Sequence, residues 1–167
     1  DKDGNNALHI ASIYGKEKVF EFLFHQNSNI NSKNKNGNTP IHLLIDNQQI
    51  STKLLLEFIE KKIDLNLVND CDETLLLKYL STEQLDLETL KLFVEQKSDL
   101  NCMNKKQQTP LQIALFNDNI TLDKIQYLLE KGADVNAKDK DGITLAFIAV
   151  GWGNVDFIKY LVEQGAD

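Results

Sequence analysis

The fold of this chain is decided by the stretch Lys131-Gly132-Ala133-Asp134-Val135-Asn136-Ala137-Lys138-Asp139-Lys140-Asp141-Gly142-Ile143-Thr144, because weaker copies of it recur along the sequence. Gly132 follows an amphipathic segment and can adopt the left-handed conformation that closes a helix. Asp141-Gly142 predicts a two-residue hairpin turn, and Thr144 stands where the N-cap of a following helix is expected. The stretch therefore predicts the end of one helix, two turns and the start of another.

The residue that opens each copy recurs at steps of 33, 35, 35 and 35 residues. These opening residues are Asn6, Thr39, Thr74, Thr109 and Thr144. Pro40 and Pro110 follow two of them at the first helical position, where the missing N–H of proline costs nothing. Each copy continues into a segment with apolar residues at helical spacing, such as Leu54, Leu55 and Phe58 in the second copy. A unit of this size cannot bury its own apolar face, so the five units are predicted to stack.

Three openings and one ending carry a resemblance to a known family. They are Ala7-Leu8-His9-Ile10-Ala11, Thr39-Pro40-Ile41-His42-Leu43-Leu44, Thr109-Pro110-Leu111-Gln112-Ile113-Ala114 and Gly132-Ala133-Asp134-Val135-Asn136. With this period and a Thr-Pro-Leu-His-x-Ala opening, the chain resembles the ankyrin family over essentially its whole length. The resemblance implies an all-α ankyrin-repeat solenoid of helix-turn-helix repeats joined by β-hairpin-like fingers. Its single domain, 1–167, is expected to hold five repeats: 1–33, 34–68, 69–103, 104–138 and 139–167.

The third copy departs most from the pattern. Asp72 replaces the glycine of the turn, Leu77 replaces the histidine of the opening, and Tyr79 replaces a small alanine where two helices approach closely. The ring of Tyr79 is expected either to push the helices apart or to fill a neighbouring gap. Lys62 and Lys97 occupy the glycine position that ends a helix, where a left-handed conformation costs each of them on the order of 1 kcal/mol.

The three middle copies are two residues longer than the first, and the excess falls between their helices. Because the excess carries Ile50-Ser51, Leu85-Asp86 and Ile120-Thr121, we expect a longer connection that ends in an N-cap, with no extra element. The chain begins on the first residue of a repeat and ends before the Val-Asn that closes one, so we expect a longer protein to contain it. Without a following repeat, the side chains expected to be exposed are Val155, Phe157 and Ile158.

Composition limits the possible functions. The chain has 18 basic and 25 acidic side chains, a formal net charge of -7, and no arginine, which disfavours nucleic-acid binding and arginine-dependent phosphate recognition. Cys71 and Cys102 form no metal or redox motif, and the resemblance gives His9 and His42 local structural hydrogen bonds. We therefore expect no cofactor and no enzymatic activity. No apolar run reaches 18 residues and no signal peptide is recognisable, which predicts a cytoplasmic or nuclear monomeric domain without membrane insertion.

The resemblance implies a concave binding surface made by the finger tips and the ends of the first helices. Its finger residues are Lys35, Asn36, Asp70, Lys105, Lys106, Lys140, Asp141 and Ile143. Its helix-end residues are Ile13, Tyr14, Asp46, Asn47, Ser81, Thr82, Phe116, Asn117 and Trp152. The tip pairs of the five fingers hold five Lys and three Asp, so a partner with an acidic margin around an apolar anchor fits this surface.

Three residues of this surface are aromatic, and aromatic residues are enriched at binding hot spots. The sequence leaves open whether Tyr14, Phe116 and Trp152 bind a partner or pack on a neighbouring repeat. We predict a protein-interaction scaffold that takes a protein or peptide in its groove. The alternative is a targeting or regulatory arm of a larger enzyme or channel whose activity lies outside this segment.

Overall fold

The computed structural model describes residues 1–26 and 29–167, and within these residues it has ten helices and no strand. The first helices of the five pairs are α1 (Ala7–Ile13), α3 (Pro40–Asp46), α5 (Leu75–Leu80), α7 (Pro110–Leu115) and α9 (Leu145–Trp152). The second helices are α2 (Glu17–His25), α4 (Thr52–Glu60), α6 (Leu87–Glu95), α8 (Leu122–Glu130) and α10 (Val155–Glu163). The all-α prediction is therefore confirmed.

The helix starts lie where side-chain oxygens can replace the missing acceptors of the first turn. Thr74 accepts a hydrogen bond from the backbone N–H of Leu77, and Asp86 accepts one from Thr89 at the start of α6. The connection between the helices is short in the first pair, residues 14–16, and longer in the three middle pairs, residues 47–51, 81–86 and 116–121. The predicted longer connection is confirmed.

The helices form two layers. Each first helix contacts the next one along the row from α1 to α9, and in a second row α6 contacts both α4 and α8. Leucine, isoleucine and phenylalanine side chains fill the space between the layers, and Leu55, Phe58, Leu90 and Phe93 are fully buried there. Since each pair contributes half of its neighbour's interface, stability arises from the stack rather than from any one pair.

Each finger is a tight hairpin, but its loop is longer than the expected two residues. In the last finger Asp139 N–H donates to Ile143 O at 3.1 Å, and Gly142 N–H donates to Asp139 O at 2.9 Å. The loop therefore has three residues, Lys140, Asp141 and Gly142, and Gly142 takes the left-handed position after the turn, with φ 75°. The two-residue prediction is wrong because this glycine follows the turn instead of forming its centre.

One backbone hydrogen bond joins each finger to the finger before it. In each bond the backbone N–H of the later finger donates to a carbonyl oxygen of the earlier one. The N···O pairs are Lys35 to Asp3 (2.9 Å), Asp70 to Asn36 (3.0 Å), Lys105 to Cys71 (3.2 Å) and Lys140 to Lys106 (3.3 Å). A second series of links was not anticipated from the sequence. The amide of Asn101 donates to Gly132 O and accepts from Asp134 N–H, and Asn66 and Asn136 repeat this pattern one repeat before and one repeat after.

The irregular positions of the middle repeats adopt the conformations that the glycine pattern predicts. Lys62 and Lys97 have φ 58° and 63°, as expected, and Asp72 has φ 58° in place of the turn glycine. The ring of Tyr79 is buried 5.2 Å from that of Phe93, and its hydroxyl donates to the Asp86 carboxylate at 2.9 Å. Of the two expectations for Tyr79, the ring therefore fills a gap.

Of the three side chains expected to be exposed in the last repeat, only Val155 is. Val155 is exposed and Ile158 is half-buried, but Phe157 is buried. The expectation for Phe157 is wrong because Trp152 stacks on it, with ring centroids 5.5 Å apart.

Candidate functional site

A depression of about 440 Å³ lies between the third and fourth fingers and the end of α7. Its lining residues are Cys71, Glu73, Ser81, Asn104, Lys105, Lys106, Gln108, Ile113, Phe116 and Asn117. The structure thus brings together five of the residues predicted for the binding surface, from two successive repeats. We call this depression the central pocket.

The end of α7 presents an apolar group to the central pocket. Phe116 follows the last residue of the helix and is 62% exposed. The next side chain, Asn117, fixes this position because its amide donates to Leu80 O at 2.8 Å and to Thr82 O at 2.6 Å in the preceding repeat. Half-buried Ile113, one helical turn earlier, extends the apolar floor.

The fourth finger forms the basic wall of the central pocket. Its shape is set by Asn104, whose side-chain oxygen accepts the backbone N–H groups of Lys106 (2.9 Å) and Gln108 (3.0 Å). Lys105 and Lys106 are exposed, and within residues 1–26 and 29–167 neither ammonium group forms an ion pair. The ammonium groups of Lys105 and Lys106 therefore belong to the same pocket lining as Phe116, on a finger whose backbone is ordered by Asn104.

A shielded ion cluster lies next to the central pocket. Lys78 of α5 is only 11% exposed, and its ammonium group is 2.7 Å from the Asp46 carboxylate and 3.4 Å from that of Glu73. Sequence reasoning missed Lys78, although a signal existed, since the equivalent positions of the other repeats carry isoleucine or leucine. Lys78 therefore offsets part of the negative charge of Glu73, the acidic residue of the pocket lining, and pairs more closely with Asp46 of the predicted surface.

The remaining predicted residues lie on the same edge but outside the central pocket. Tyr14 is 67% exposed at the end of α1, and Ile13 beside it is also exposed. The amide of Asn47 donates to Ser12 O at 3.0 Å, so this side chain links two repeats. Trp152 is 44% exposed, and its ring stacks on that of Phe157 in the same repeat.

The other predicted finger residues are exposed at their tips, except for half-buried Ile143. They are Lys35, Asn36, Asp70, Lys140 and Asp141. Lys140 pairs with Asp141 within its own finger at 2.7 Å, which leaves the pair with little net charge. Ser81 and Thr82 donate their hydroxyls to backbone carbonyls of α5 and so complete the end of that helix.

A family model described as ankyrin repeats (3 copies) matches residues 8–87 and again residues 77–167. The chain belongs to the ankyrin repeat family. Among curated proteins, Rabankyrin-5 of Mus musculus and Rabankyrin-5 of Homo sapiens are each 36% identical to it over 47 residues. That match covers 28% of the chain and 4% of either relative, so the chain corresponds to a small part of their length.

The histidines of the first two ankyrin repeats connect neighbouring repeats. His9 Nε2 lies 2.9 Å from Asn38 O, and His42 Nε2 lies 3.3 Å from Glu73 O. In the fourth ankyrin repeat Gln112 makes the equivalent bond, donating to Ile143 O at 2.8 Å. Burial lowers the pKa of His9 and lowers that of His42 to about 4, since a charged imidazole loses its hydration there.

The described residues of these ankyrin repeats form neither a metal site nor a membrane-spanning helix. No group of three or more His, Cys, Asp or Glu side chains there has the arrangement of a metal site. None of the helices is both long and apolar enough to cross a bilayer.

Proposed function

We propose that this ankyrin-repeat segment is a protein-interaction scaffold that binds a protein or peptide segment along the edge formed by the fingers and the first-helix ends. The observation that carries the proposal is the exposure of Phe116 over the central pocket. A large aromatic ring held in the open beside ordered polar groups gives a partner an apolar anchor site. Tyr14 and Ile13 extend the same edge by one further apolar point.

The rigidity of this edge supports the proposal. Asn104 fixes the fourth finger, Asn117 fixes the end of α7, and a backbone hydrogen bond joins each finger to its neighbour. A partner therefore meets a preformed surface and does not have to order it, which preserves affinity. A protein partner suits the surface better than a nucleic acid because the chain has a net charge of -7 and no arginine. We assign the scaffold no catalytic role and propose a cytoplasmic location, where the thiols of Cys71 and Cys102 stay reduced.

The proposal is tested by panning a random peptide display library against the whole chain. The tightest selected peptide, made synthetically, is then located by hydrogen–deuterium exchange of the backbone amides. We expect new protection in the fingers of residues 69–73 and 104–108 and at the end of α7. Protection confined to the second helices α4, α6 and α8 would contradict the proposal.

A further inference from the structure

On the basis of the proposed function, we infer that the central pocket takes a peptide segment in which a large apolar side chain is immediately flanked by one or two carboxylates. The apolar side chain lies on Phe116 and Ile113, and the carboxylates lie against Lys105 and Lys106.

The local charge of the pocket carries the inference. The ionisable carboxylate in its lining, Glu73, is already paired with Lys78 at 3.4 Å. Lys105 and Lys106 have no such partner in the described part of the chain. With Lys105, Lys106 and the one carboxylate of Glu73, the lining is positive although the whole chain carries -7, so it attracts a carboxylate brought to it.

The neighbouring fingers restrict where the partner's carboxylates can be. The third finger exposes Asp70 and Asp72 on one side of the pocket, where a distant carboxylate would meet like charge. In the fifth finger Lys140 already pairs with Asp141, so its ammonium group is not free for a distant carboxylate. The favourable sequence therefore has its acidic residues next to the apolar anchor and not at a distance from it.

Two polar side chains of the pocket lining favour this arrangement of the peptide because they already form hydrogen bonds within the protein. The amide of Asn117 donates to two carbonyls of the preceding repeat, and the side-chain oxygen of Asn104 accepts two N–H groups of its own finger. Among the lining side chains in the described part of the chain, Lys105 and Lys106 have no ion-pair partner and Phe116 is exposed, so these three are open to a ligand. Selectivity therefore depends on an apolar side chain and on negative charge.

Three short fluorescein-labelled peptides of otherwise glycine and serine test the inference. The first has leucine flanked by two glutamates, the second is its isomer with both glutamates at the ends, and the third has lysines in place of the flanking glutamates. We expect the acid-flanked peptide to bind the whole chain about fivefold tighter than its isomer, and the lysine peptide to bind weakest. Equal binding of the two isomers overturns the inference.

Charge reversal at the pocket provides the second arm. The double variant K105E/K106E is expected to invert the order, so that the lysine peptide binds better than the acid-flanked one. The matched control is K16E/K18E, which makes the same charge change at exposed lysines of the first repeat and should leave the order unchanged. An unchanged order in K105E/K106E, or an inverted order in the control, overturns the inference.

Cys71 reports occupancy of the pocket directly, because its exposed thiol is part of the lining. The measurement uses the Cys102→Ser background, since Ser32 already occupies the equivalent position of the first repeat. The acid-flanked peptide is expected to slow alkylation of Cys71. If the library-selected peptides slow it but the isomers bind equally, the inference fails and the proposed function stands. If no selected peptide slows it, the proposed function fails at this pocket as well.

Discussion

The imidazole of His42 joins two repeats in surroundings that disfavour its charged form. Its Nδ1 accepts from Thr39 N–H and its Nε2 lies beside the Glu73 carbonyl oxygen, while burial lowers its pKa to about 4. In the unfolded chain the same group has its ordinary pKa near 6.5. As the pH falls from about 6.5 towards 4, the unfolded state therefore takes up a proton that the folded state refuses, and stability declines.

His42→Gln is expected to remove this part of the pH dependence. Gln112 makes the equivalent bonds in the fourth repeat without titrating, so the variant should keep the link. The free energy of unfolding of the wild type should fall by up to about 1.4 kcal/mol per pH unit more steeply than that of the variant between these pH values, with no further difference below pH 4. Urea titrations across this range measure it, and parallel curves would refute the assignment.

Two lysines with positive φ test whether backbone strain lowers the stability of the stack. Lys62→Gly and Lys97→Gly should each raise the free energy of unfolding by roughly 1 kcal/mol, because glycine adopts the left-handed conformation without strain. Gln96→Gly is the control, since Gln96 has φ -86° at the end of α6 and gains nothing from glycine. Chemical denaturation of the three variants checks the prediction. A loss of stability in Lys97→Gly would show that the lysine conformation is not strained.

Among the structural elements, the helix starts could be predicted because their sequence signals are local. The hydrogen bonds and ion pairs between repeats could not be predicted from the sequence. A threonine and a proline at a helix start act on their own first turn, so Thr39 and Thr109 could be recognised directly. The amide ladder through Asn101 and the Lys78 cluster have partners about one repeat away, and their identity depends on how the repeats stack. The three-residue finger loop was missed because a glycine after the turn and a glycine inside it look alike in sequence.

The candidate site, too, could be predicted from the sequence only in part. The repeat pattern placed the finger tips and helix ends on one edge, but it could not tell exposed aromatic residues from packed ones. Phe116 and Tyr14 are exposed, whereas Trp152 both reaches the solvent and covers Phe157. Trp152 differs because it has a ring to stack on, Phe157 of the following helix, and the repeat period does not predict such a contact.

The contact between α9 and α10 depends on this tryptophan. Trp152→Ala should lower the free energy of unfolding by roughly 1–2 kcal/mol, because it removes a stacked ring and exposes Phe157. Trp152→Phe is the matched control and should retain most of the stability. Thermal unfolding followed by circular dichroism measures both. An unchanged melting temperature in Trp152→Ala would mean that the indole is a surface group with no packing role.

For the whole molecule, the stack creates a surface that no single repeat has. The central pocket takes its basic wall and its aromatic floor from the fourth repeat, and its opposite wall, with Cys71, Glu73 and Ser81, from the third. The amide of Asn117 holds these two repeats in register across the pocket. A change that loosens the junction is therefore expected to weaken binding even when it lies outside the lining.

The most direct test compares two equally exposed phenylalanines on opposite parts of the stack. Phe116 is 62% exposed at the central pocket, and Phe22 is 64% exposed on α2. The dissociation constant of the tightest library-selected peptide is measured for Phe116→Ala and Phe22→Ala, with melting temperatures as the check on folding. We predict about thirtyfold weaker binding for Phe116→Ala, unchanged binding for Phe22→Ala and wild-type melting for both. Unchanged affinity for Phe116→Ala, with weaker binding in Phe22→Ala instead, would contradict the claim that the partner binds at the central pocket.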